Sequence, residues 1–293
     1  MQTGIIRAFS LLAVVGGVTL FGQPAAAERF VNDELRPYYA HTGFSWKIDR
    51  VSNFELNYEA GTEAELRLAQ LEQVAQRGQD SILKLLGQSN YDATVHVFFV
   101  ESIERMKQLI GSEVIGRSRP TQHAVFCVVA PFSELSLKHE LTHEIATNLW
   151  GPAEHWLEEG LANFAVDNKS SLMKRQCLGM MQSKQWIPLK KLVSPGWESS
   201  SFSPDDDYPE LGGFVEYLYD TYGVARLQQI WKNGSKSIRR VYGKRLSKLQ
   251  SEYRSDLLKH RPKVHDAINL PGRDDDNLLP EEEVPHQHRI DPR

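Results

Sequence analysis

The pentapeptide HELTH, His139 to His143, sets two imidazoles and a carboxylate at a spacing suited to a metal ion and to the chemistry of a water beside it. On a helix, residues four apart are offset by about 40° around the axis and about 6 Å along it, so His139 and His143 can converge on one ion. Glu140 then stands next to the ion. From there its carboxylate can take a proton from a water and hand it on to a departing amine. Two histidines leave the ligand set incomplete. Downstream, the segment WLEEGLANF from Trp156 to Phe164 offers two adjacent carboxylates, Glu158 and Glu159. Two imidazoles and one carboxylate make the donor set of a catalytic zinc site, which keeps a position open for water. A structural zinc site more often closes with cysteines, and none lies nearby.

The elements that must position these residues are legible in outline. An apolar helical pattern runs through Leu141, Ile145 and Leu149, with Ser136 as its expected N-cap and Gly151 and Pro152 as its end. A second helix, His155 to Val166, follows the break. Upstream, Lys47 to Glu59 alternates like a strand in its second half. Glu63 to Leu86 has helical spacing and a stop at Gly87. Thr94 to Val100 predicts a buried strand, Ser102 to Ile110 a helix, and AVFCVVA, Ala124 to Ala130, another strand. Lying just before the catalytic helix, that strand is a candidate edge for an extended peptide to pair with. Asp167 to Asp207 reads as less regular. Leu211 to Tyr222, Val224 to Lys232 and Lys244 to Lys259 are helical, so the expected class is α+β with a mostly α second half.

Of the 293 residues, acids outnumber bases to give a formal charge of −4, which excludes a general nucleic-acid binder, since such proteins need a basic surface. The basic stretch Lys236 to Lys248 reads as a solvated helix face. Residues 1–27 read as a secretory signal: Arg7, an uncharged stretch from Ala8 to Gly22, and small residues at Ala25 and Ala27 before Glu28. Nothing after it is apolar for long enough to span a membrane, so export to a periplasmic or extracellular space is expected. That compartment would permit one disulfide between Cys127 and Cys177, although Cys127 suits a buried thiol equally well. From Arg261 to Arg293, prolines interleave with acidic runs, which reads as a disordered tail.

The segment Trp156, Leu157, Glu159, Gly160, Leu161 and Ala162 resembles the WLxEGLA signature of peptidase MA-like, gluzincin-type zinc metallopeptidases. The likeness extends from about Phe54 to Leu257. It implies that Glu159, the glutamate just before the glycine, is the third ligand with His139 and His143, that one Zn2+ is bound per chain, and that Glu140 is the general base. It implies a thermolysin-like core, a small sheet behind the active-site helix with a helical subdomain closing the cleft. In the same resemblance Tyr208, opening YPELGGFVEYL, matches a tyrosine that donates a hydrogen bond to the oxyanion. Asn163, one turn after Glu159, has two readings: a hydrogen-bond partner of a ligand histidine, where related enzymes often use aspartate, or a surface or cap residue. The expected layout is an N-terminal extension at 28–47, a peptidase domain at 48–260 and the tail beyond it.

The expected substrate is a peptide or protein. The G-x-M-E-N stretch with which zinc aminopeptidases capture a free amine is absent upstream of His139, so no exopeptidase assignment is carried over. Two other readings use the same residues: a noncatalytic extracellular binding protein on a peptidase scaffold, and a zinc hydrolase of a nonpeptide amide. Retention of Glu140 speaks against the first, because losing that carboxylate alone would spare a metal site and remove its base.

Overall fold

A computed structural model of the chain describes residues 33–130, 133–167, 172–193 and 209–259. The leader, Tyr208 and the tail lie outside these residues. Five strands, Trp46–Val51 (β1), Phe54–Glu59 (β2), Val95–Val100 (β3), Gly116–Arg119 (β4) and Ala124–Val128 (β5), form one mixed sheet in the order β1-β2-β3-β5-β4. β2, β3 and β5 run parallel, and the outer strands β1 and β4 are antiparallel to their neighbours. The runs VHVFFV and AVFCV are apolar throughout because both faces of these central strands are covered. Val95, Val97, Phe99, Val125 and Cys127 enter the main core. Phe98, Val100, Ala124, Phe126 and Val128 enter a smaller one with Leu35, Tyr38 and Phe44.

The helices are Arg36–Tyr39 (α1), Glu63–Leu66 (α2), Leu68–Leu86 (α3), Ile103–Ile110 (α4), Ser133–Trp150 (α5), His155–Asp167 (α6), Leu172–Gln182 (α7), Leu189–Leu192 (α8), Pro209–Tyr222 (α9), Val224–Asn233 (α10), Ile238–Tyr242 (α11) and Leu246–Lys259 (α12). The class is α+β. α3 and α5 pack against the main-core face of the sheet, and α1 and α4 against the other face. α4 begins where Ser102 accepts the Arg105 N–H at 3.2 Å, and α3 ends at Gly87 in the left-handed region. Among the described residues, no helix is long and apolar enough to cross a membrane.

Several expectations change. β5 is an inner strand, flanked by β3 and β4, so it cannot be the edge; β4 is. Its four residues, GRSR, carry no apolar alternation, and pairing with β5 recruits them. α5 starts at Ser133, which leaves Ser136 inside the first turn rather than at the N-cap. The stretch from Glu63 to Leu86 is two helices, broken at Arg67, whose ψ of 10° departs from helical values. The region after Asp167 contains α7 and α8. Cys127 and Cys177 are both buried and unpaired. Cys127 is packed near the Ser133 carbonyl, and Cys177 accepts the Tyr253 hydroxyl at 3.3 Å.

Candidate metal centre

α5 buries Leu137, Leu141 and Ile145, four residues apart, against the core, and this stripe fixes the rotation that sends His139, Glu140 and His143 to one side. The helix stops at Gly151 (φ 86°), and a four-residue link, Gly151 to Glu154, turns the chain into α6. The link is clamped. Trp231 Nε1 on α10 donates to the Gly151 carbonyl at 2.7 Å, and Glu154 accepts from Trp156 Nε1 at 2.8 Å and from the Ser235 N–H at 2.9 Å. α6 buries Trp156, Leu157, Leu161 and Phe164. Gly160 lets α6 lie directly on α9, since a Cβ there would stand 2.5 Å from Val215 Cγ2 and 3.0 Å from the Leu211 carbonyl oxygen.

This docking brings the carboxylate of α6 to the two imidazoles of α5. His139 Nε2 and His143 Nε2 are 3.0 Å apart, Glu159 Oε2 is 3.3 Å from His139 Nε2, and Glu159 Oε1 is 3.5 Å from His143 Nε2. Ligands held at about 2.0–2.1 Å from a tetrahedral ion stand roughly 3.3 Å from one another. The group could therefore hold a metal ion: one ligand atom from each of the three residues lies within 4.8 Å of the other two. Glu158 turns instead to the link, where its Oε1 accepts the Ala153 N–H at 2.9 Å. The three side chains keep 22, 14 and 27 % of their exposure, which leaves one side of the group open to a water or a substrate.

The protonation states of His143 and Glu159 suit ligation. Burial lowers His143 to about 4, so its imidazole is neutral near pH 7. Burial alone would raise the Glu159 carboxyl, but the hydrogen bond from His139 and the imidazoles of His143, His139 and His155 outweigh it and hold it at about 2. Glu140 goes the other way. Burial pushes it up to about 7, with Glu159 adding to the rise, while His139, Arg117 and the Ser118 N–H partly offset it. A carboxyl near neutrality can both accept and release a proton. The edge strand β4 forms the wall on that side. A Cβ on Gly116 would lie 2.6 Å from Glu140 Oε1 and 2.7 Å from Ser136 Oγ.

Of the residues expected from sequence, His139, Glu140, His143 and Glu159 come together; Tyr208 lies outside the described residues. Asn163 is buried, with its Cβ against the glycine face of α9 at Gly212, so it has no surface role. Two features escaped the sequence reading. His155, one turn before Glu159, has Nδ1 3.7 Å from Glu159 Oε1; the i, i+4 spacing on α6 was the available signal. Behind the centre, fully buried Glu144 accepts the Tyr91 hydroxyl at 2.9 Å and Asn148 Nδ2 at 2.9 Å, and lies 2.9 Å from His123 Nδ1. Burial pushes its carboxyl up to about 7. The network ties the back of α5 to residues at the starts of β3 and β5, and no local pattern signals it.

No family model matches the chain, and no curated protein matches it.

Proposed function

We propose that this chain is an exported zinc-dependent peptidase of the gluzincin type, with His139, His143 and Glu159 as the metal ligands and Glu140 as the general base. The observation that carries the reading is the convergence of the two Nε2 atoms and the Glu159 carboxylate on one point, with the Glu140 carboxyl beside an edge strand. A bound zinc ion would supply Lewis acidity and lower the pKa of a water. Ionised Glu159 and neutral His143 are already in their ligating forms. Glu140 takes the proton of the attacking water on its carboxylate and delivers it to the leaving nitrogen, held meanwhile by the Ser118 N–H.

An extended peptide can add to the outer edge of β4 as a further strand beside Glu140, using backbone groups other than the Ser118 N–H that Glu140 holds. A mixed sheet with an antiparallel edge strand next to the active-site helix, followed by a helix bearing the third ligand, supports the thermolysin-like reading of the core. Tyr208 is the proposed oxyanion donor and Zn2+ the proposed ion. Export rests on residues 1–27 and Tyr208 on the resemblance; both lie outside the described residues.

The test is metal content and peptide hydrolysis of the mature protein beside Glu140→Gln. About one zinc per chain in both proteins, with cleavage in the wild type alone, supports the reading. A wild-type protein that takes up no zinc, or takes it up and cleaves no member of a broad peptide library, overturns it.

A further inference from the structure

The edge strand that passes the centre carries two arginines on one face. Gly116 and Ser118 stand opposite Cys127 and Val125, on the main-core side that meets Glu140, whereas Arg117 and Arg119 stand opposite Phe126 and Ala124, on the smaller-core side. The two arginines differ in employment. Arg119 is half-buried and donates to the Tyr38 hydroxyl, with its guanidinium 5.4 Å from the Tyr38 ring centre and 5.8 Å from that of Phe126. Arg117 is exposed and, among the described residues, has no carboxylate within ion-pair distance. It is close enough to the centre for its charge to act on both Glu140 and His143, and both flanking residues touch the Glu140 carboxylate.

We propose that Arg117 is a specificity-determining residue that selects peptides with an acidic side chain next to the residue presented to Glu140. The inference rests on the peptidase reading for the way a substrate lies, and deepens it by naming the substrate class. A peptide that adds to β4 must alternate its side chains as β4 does. The substrate residue whose side chain shares the Arg117 face is therefore an immediate neighbour of the one turned toward Glu140. Side chains opposite each other across paired strands lie about 4.5–5.5 Å apart at Cβ, within reach of an arginine. There, opposite charges attract and like charges repel. With no carboxylate of the described residues at ion-pair distance, Arg117 meets an incoming acidic side chain without first breaking an ion pair to one of them.

The experiment uses full-length mature protein with zinc and extended peptides that differ only by Glu, Gln or Lys at the residues flanking the scissile bond. Hydrolysis is followed for the wild type, Arg117→Glu and Arg117→Lys. Binding of the same peptides, fluorescein-labelled, is followed by anisotropy on Glu140→Gln with and without Arg117→Glu. The wild type is expected to favour Glu over Lys by roughly tenfold in kcat/KM, because an exposed pair and its like-charge counterpart each contribute a few-fold. Arg117→Lys keeps the preference, Arg117→Glu removes or reverses it, and added salt shrinks it. Equal use and equal binding of Glu and Lys peptides, or a preference that survives Arg117→Glu, overturns the proposal, as does failure to bind any of them. Arg117-dependent binding of the Glu peptide with no cleavage of any peptide sinks the peptidase reading alone and leaves the Arg117 assignment standing.

Discussion

Glu140 reaches to within 2.6 Å of the point where Gly116 would carry a Cβ, so the Glu140 carboxyl and the edge strand share one space. Only a residue without a side chain lets the carboxylate lie there. Gly116→Ala is expected to push Glu140 aside and lower kcat by about 10- to 100-fold, the range that misplacement by an ångström produces. Zinc per chain should be unchanged, since no ligand is touched. Metal content measured beside single-turnover cleavage checks this; loss of metal would mean that the strand supports the ligands instead.

Glu158 and Glu159 are adjacent in sequence and unlike in role. Glu159→Gln removes a charged donor from the group and should weaken zinc affinity at least tenfold in a competitive chelator titration. Glu158→Ala should leave affinity within about twofold. Its cost falls on the start of α6, where Glu158 accepts the Ala153 N–H, and an order of 0.5–2 kcal/mol of stability is expected. Reversed outcomes would make Glu158 the ligand.

Gly160 allows α6 and α9 to touch. Gly160→Ala overpacks that contact and is expected to destabilise the fold by about 1–3 kcal/mol, read as a lower urea midpoint at unchanged m. An unaltered midpoint would show that the helices can separate without loss.

Glu55 gives the fold an acid limit. The hydrogen bond with His96, with those from Tyr39 (2.7 Å) and Arg50 (2.9 Å), outweighs burial and holds its carboxyl at about 2. The folded-state value lies below that of an unfolded glutamate, about 4.3, so the contribution is complete above that pH and fades as pH falls toward 2. Unfolding free energy measured from pH 5 down to pH 2 should fall less steeply in Glu55→Gln than in the wild type. Parallel slopes would remove Glu55 from the account.

Burial pushes both thiols up to about 12. Neither Cys127 nor Cys177 should react with a thiol reagent at pH 8 in the native protein, and both should react in denaturant. Native labelling at either position would contradict their burial.

What the sequence revealed about the site follows from locality. His139, Glu140 and His143 lie within one turn and a fraction of a single helix, so their convergence is a matter of helical pitch. Glu159 needed a resemblance to separate it from Glu158, because which way each carboxylate points depends on how α6 docks on α9, a tertiary fact. The buried strands β3 and β5 announce themselves through uninterrupted apolar runs. β4 does not: Gly116, Arg117, Ser118 and Arg119 become a strand only because β5 offers them hydrogen bonds, and without β4 in view β5 looked like the edge. Nor could the break at Arg67 or the start of α5 at Ser133 be read locally, since helical spacing continues through the one and Ser136 offers a cap signal three residues past the other. The Glu144 network joins residues far apart in the chain.

The clamp on the Gly151 to Glu154 link makes the angle between the two ligand-bearing helices depend on α10. Trp231 holds the Gly151 carbonyl and packs edge-on to Trp150 at 5.5 Å, while Ser235 holds Glu154. An ion held by the proposed centre would therefore be linked thermodynamically to the docking of the C-terminal helices: whatever loosens α10 would weaken the centre, and the ion would tighten α10 by the same free energy. The indole of Trp231, far in sequence from the proposed ligands, would then serve as an internal gauge of occupancy.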